Sequence, residues 1–101
     1  MGYVDIRNLS SERAWEIFNK ADFKIYKQSF DIGDRVIVND YDSYGVIIPD
    51  TAPDDLLRDI EGEITFDFDS FVHVIGAVTK GLTERVVKLE EENQKLKSKI
   101  K

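Results

Sequence analysis

One histidine, His73, and one acidic run, Asp40-Tyr41-Asp42-Ser43-Tyr44-Gly45, are where this chain comes nearest to metal or acid–base chemistry. The run alternates acids as a calcium loop does. Yet Tyr44 fills a ligand position, and Thr51 stands where the closing bidentate Glu belongs. It reads as a solvated, Asp-rich turn. His73 reads as an interface or core-edge residue rather than a ligand or base; if three chains meet, its copies approach one another and assembly becomes pH-sensitive. The chain has no cysteine, which excludes disulfides, zinc-thiolate sites and a Cys nucleophile. No Gly-rich phosphate loop and no Ser/His/Asp arrangement is present. No catalytic, cofactor-binding or metal-ligating residue is assigned.

The spacing that does carry an interaction is apolar. With Val72, Thr79, Val86, Asn93 and Ile100 at heptad position a, Ile75, Leu82, Leu89 and Leu96 fall at d. Every d residue is Ile or Leu, and only Thr79 and Asn93 are polar at a. A stripe of this kind must be buried, and a parallel partner helix is the usual way to bury it. The flanking charges choose a direction. In a parallel pair, position g of one heptad faces e of the next heptad on the partner. Arg85 then faces Glu90, and Glu92 faces Lys97. Both pairs attract, although each exposed pair contributes only about 0.2–1 kcal/mol. Asn93 at a specifies register at a cost in stability and favours a dimer.

The element that must hold these residues is one long helix, expected over 71–101. Its first half is crowded: Phe71, Val74, Ala77 and Val78 are apolar beyond a and d, so several sides are expected to be covered, by a sheet and by a partner helix. From Thr83 onward the apolar residues lie at a and d, apart from Val87, as in a free-standing coiled coil. Such a helix spans about 45 Å, more than a head of about 70 residues can cover. Lys95, Lys97, Lys99 and Lys101 form a basic, solvated end.

The preceding residues, 1–70, read as a small α+β head belonging to the same structural domain. Ser10 caps a short amphipathic helix that carries Ala14, Trp15, Ile17, Phe18 and Ala21 and ends near Asp22. Strands are expected at Phe23–Lys27, Arg35–Val38, Tyr44–Ile48 and Glu63–Phe68, the last with Ile64, Phe66 and Phe68 facing the core. Asp50 to Gly62 reads as a loop with one helical turn that Pro53 opens. Asp69 or Ser70 is expected to cap the long helix. The fold class is α+β: a short N-terminal helix, a small and mostly antiparallel sheet, and a long C-terminal helix forming a parallel coiled coil. The net charge of -6 argues against nucleic acid and anionic membranes as partners. No apolar run reaches the length of a membrane-spanning helix.

The order of three stretches carries a family resemblance: Phe23-Lys24-Ile25-Tyr26-Lys27, then Tyr44-Gly45-Val46-Ile47-Ile48-Pro49-Asp50-Thr51-Ala52-Pro53-Asp54-Asp55-Leu56-Leu57, then Ile64-Thr65-Phe66-Asp67-Phe68-Asp69-Ser70-Phe71 running into a heptad helix. Over residues 9 to 101 this resembles the C-terminal intramolecular chaperone domain of phage tail spikes and tail fibres, the endosialidase-type self-cleaving family. The resemblance implies a homotrimer of long helices that registers the upstream fibre or spike segments. It also implies a place in the phage virion, or in the host cytoplasm during assembly. The family cleaves before a Ser followed by Asp, with an Arg and a catalytic Lys close behind. Here Asp5 and Arg7 fit, but Val4 occupies the Ser position and neither Asn8 nor Leu9 is a Lys. No catalytic residue is therefore carried over. A coiled-coil adaptor with a small protein-binding head, acting as a parallel dimer, is the alternative from another class.

Overall fold

A computed structural model describes residues 2–100. Met1 and Lys101, the outer ends of the two expected ranges, lie outside the described residues. The backbone divides into two compact units. One is built from the chain's two ends, up to Phe18 and from Phe68 onward; the other is the intervening Asn19–Asp67. The sequence places its boundary elsewhere, between a head and the long helix at residue 70. The first helix groups with the long helix because its apolar residues lie against that helix.

The helical unit holds α1, Ser11–Asn19, and α2, Phe68–Lys99. Ser10 caps α1 as its residue type suggests: its Oγ accepts a hydrogen bond from the Arg13 N–H at 3.1 Å. The helix stops short of Asp22, whose N–H donates instead to the Thr51 carbonyl at 2.9 Å. Expected to start at residue 71, α2 begins at Phe68. The cap expected at Asp69 or Ser70 is therefore already inside the helix. Asp69 sits in the first turn, where its charge complements the helix dipole. Ala14, Ile17, Phe71, Val74 and Val78 are the buried apolar residues of this unit.

The hairpin unit is entirely antiparallel but is not one sheet. β1 (Lys24–Tyr26) pairs with β4 (Ser43–Gly45), β2 (Ser29–Ile32) with β3 (Arg35–Val38), and β5 (Leu57–Ile60) with β6 (Glu63–Phe66). Each ladder has two strands of three or four residues. Turn chemistry explains two of them. Gly33, at φ 63°, opens a two-residue loop of the II′ kind. Glu61 and Gly62 both take positive φ, 53° and 86°, as a I′ loop requires. The β2 strand falls where no element is expected, and β5 falls within the expected Asp50–Gly62 loop.

The third expected strand ends early, at Gly45. Ile47 donates its N–H to Thr51 Oγ1 at 2.6 Å, and the Thr51 N–H returns to the Ile47 carbonyl at 2.8 Å, so the chain turns there. Pro53 lies just before a single 3-10 turn, Asp54–Leu56. Ala52, Pro53 and Leu56 are buried. The alternation of β6 ends with the strand. Ile64 is exposed, Phe66 is half-buried, and Phe68 starts the helix at 66% exposure, so the expected inward face of three residues is not formed. Arg58 joins the two ends of this last hairpin, donating to Asp67 Oδ2 at 3.1 Å and to the Asp55 carbonyl at 2.8 Å.

Candidate oligomerisation interface

α2 carries two apolar stripes with different fates. The first runs through Phe71, Val74, Val78 and Gly81, spaced three and four apart, and the three side chains are buried within the chain. α1 lies against it in the antiparallel sense. The Phe18 ring stacks on Phe71 with centroids 6.5 Å apart and planes at 17°. At the other end, Ser11 approaches Gly81 so closely that a Cβ on that glycine would stand 2.6 Å from the Ser11 Cβ. Glycine inside a helix costs about 1 kcal/mol relative to alanine. The close approach of α1 is the reason for it here.

The second stripe is the heptad series. Val72, Ile75, Thr79, Leu82, Val86, Leu89, Asn93, Leu96 and Ile100 all remain exposed. The contrast within one turn is large: Val78 is 5% exposed and Leu82 is 41% exposed. From Leu82 to Ile100 every residue is exposed. The polar residue Thr79 does not interrupt the apolar character, because its Oγ1 donates to the Ile75 carbonyl at 2.8 Å. With its hydroxyl returned to its own helix, it presents a methyl group.

The flanking charges divide in the same way. Glu90, Glu92 and Lys97 make no ion pair within the chain among the described residues. Arg85 is engaged: its guanidinium lies over the Trp15 ring, 5.8 Å from the centroid. Neither this contact nor the Gly81–Ser11 approach is foreseen from the pattern, which marks only the surplus of apolar residues near Val74 and Val78. Gly81 was the available signal, a helix-weakening residue in the middle of a strong helical period.

The remaining polar candidates are accounted for locally. Lys27 donates to the Asp40 carbonyl at 2.9 Å and sits 3.2 Å from Asp42 Oδ1, placing an ammonium on the acidic turn. Among the described residues no group of three or more His, Cys, Asp or Glu is arranged to hold a metal ion. His73 is exposed, at heptad position b, away from the a and d stripe. Asp5 and Arg7 lie 3.6 Å apart, both exposed. No described helix is long and apolar enough to cross a membrane. Comparison with known protein families, with curated proteins and with solved structures finds no match.

Proposed function

We propose that this chain is an assembly module. Its α2 winds with two further copies into a parallel, in-register coiled coil, and the module acts as an intramolecular chaperone for an upstream phage tail-spike or tail-fibre segment, in the virion or in the host cytoplasm during assembly. The observation that carries the self-association is the exposed a and d stripe on a helix whose other apolar stripe is already occupied by α1. An isolated helix in water is marginal even when its sequence favours helix. A stretch as exposed as that from Leu82 to Ile100 therefore draws its stability from a partner. Fully burying each Leu or Ile contributes about 1.5–3 kcal/mol. The Arg85–Glu90 and Glu92–Lys97 pairs select the parallel direction. The order of strands and helix that resembles the phage chaperone domains supplies the biological reading. Interchain β pairing is slow and exposes edges, so a coiled coil that aligns three chains first raises their effective concentration for the harder step.

Asn93 at position a favours a second reading: a parallel dimer whose hairpin unit is a protein-binding head. Sedimentation equilibrium decides between them. A mass of three chains supports the chaperone reading, two chains support the adaptor, and one chain at all concentrations overturns both. Leu82→Asp with Leu89→Asp is expected to leave monomers. An unchanged mass would remove the stripe as the interface. Fusing the chain behind its natural upstream segment and measuring that segment's soluble yield tests the chaperone role.

A further inference from the structure

Arg85 stands at g and closes one side of the hole that receives an a residue. In a parallel in-register coiled coil, the hole for Val86 of a second copy is formed by Leu82, Arg85, Val86 and Leu89. Trp15 lies outside the heptad helix, yet it shares a small notch with Val78, Leu82 and Arg85. It is 39% exposed, unlike its neighbours Ala14 and Ile17, which form the α1 core. Its remaining exposure leaves an apolar edge in solvent beside Leu82.

We infer that Trp15 is part of the self-association surface, positioning Arg85 to receive Glu90 and flank Val86 of a second copy. This rests on the coiled-coil reading above. The occupant is a second copy of this chain because the charges select it: the guanidinium held by Trp15 is the g-position cation whose e-position counterpart is Glu90, which has no partner ion within its own chain among the described residues. A free arginine loses side-chain freedom when it forms an interchain pair. Stacking over Trp15 removes part of that freedom beforehand, so less is lost at assembly. The indole also extends the apolar surface beside Leu82. The interface thus includes α1 as well as α2, and the docking of α1 strengthens the assembly.

The test uses the full chain in sedimentation equilibrium at low and high salt. Trp15→Ala is expected to weaken association about twofold to fivefold per chain, multiplied over the chains of the oligomer, and to flatten its salt dependence. Arg85→Lys, which keeps the charge but loses the flat stack, is expected to fall between wild type and Arg85→Gln. Trp15→Phe should recover part of the loss. The chain's single tryptophan gives a direct readout, its emission moving to longer wavelength as dilution drives dissociation. Monomer helicity by circular dichroism reads out any loosening of α1 in Trp15→Ala, and a loss of association matched by Arg85→Gln, which leaves the indole in place, separates this role from holding α1. Suppose wild type associates, Leu89→Asp abolishes association, and Trp15→Ala changes neither affinity nor salt slope. That result overturns the role of Trp15 and leaves the coiled coil standing. A wild-type chain that stays monomeric removes both.

Discussion

Gly81 is where a single hydrogen atom decides how two helices meet. A methyl group there would stand 2.6 Å from Ser11 Cβ and 3.1 Å from Ser11 Oγ, and helix α1 cannot yield without moving as a body. Gly81→Ala gains about 1 kcal/mol of helix propensity and loses about 1–3 kcal/mol to overpacking. The expected net effect is destabilisation, read as a lower denaturant midpoint. Adding Ser11→Gly removes the obstructing Cβ and should restore stability, since the remaining neighbour, Ser11 Cα, is at 3.9 Å. Gly76 is the control: nothing lies within 4 Å of its Cβ direction, so Gly76→Ala should raise the midpoint. If Gly81→Ala stabilises the chain as much as Gly76→Ala, the close approach is wrong. At this scale the sequence was informative about type and silent about partner. Both glycines interrupt the helix equally, and only the position of Ser11 separates them.

At the scale of elements, the hairpin unit shows what local pattern can and cannot specify. The β3 and β6 strands were legible because Val36-Ile37-Val38 and Ile64-Thr65-Phe66 are strongly β-prone. The β2 and β5 strands were not, because Asp31 and Asp59 make them look like loop and only the ladder partner turns them into strand. One sheet was expected where three short ladders stand, since strand pairing is a long-range property that alternation does not encode. Part of this unit is fastened by charge. Lys20 Nζ reaches Asp55 Oδ1 at 2.7 Å and Asp54 Oδ1 at 3.3 Å, which ties the segment after α1 to the 3-10 turn. Hydrogen bonding to Asp55, then to Asp54, raises the Lys20 pKa above its ordinary 10.5. A raised value in the folded chain means a contribution present below the unfolded value and lost as pH climbs through the folded one. Lys20→Met should therefore lower the melting temperature at neutral pH, with the difference from wild type shrinking as pH rises beyond 10.5. A difference that persists undiminished at strongly alkaline pH would show that the aliphatic stem, not the charge, fastens this segment.

For the whole molecule, the long C-terminal helix was legible from the sequence because its apolar residues recur at helical spacing over many turns. The occupied stripe was only half legible: Phe71, Val74 and Val78 announced burial but not that α1 would cover them. In the proposed coiled coil, Asn93 at position a is the residue that bears on oligomer number. Asn93→Leu is expected to raise the thermal stability of the assembly and to broaden its mass distribution, as register control is lost. A variant no more stable than wild type would mean that Asn93 does not lie in the seam. The interleaved connectivity has a further effect, on synthesis. The helical unit draws on both ends of the chain, with Asn19–Asp67 between them. A growing chain presents the hairpin residues to solvent well before Gly81 emerges. At about 5–20 residues per second, α1 waits some seconds as an uncovered amphipathic segment before α2 arrives to receive it. The hairpin residues are therefore free to pair with one another before α2 is available to α1. The exposed stretch from Leu82 to Ile100 is thus synthesised only after the whole of Asn19–Asp67.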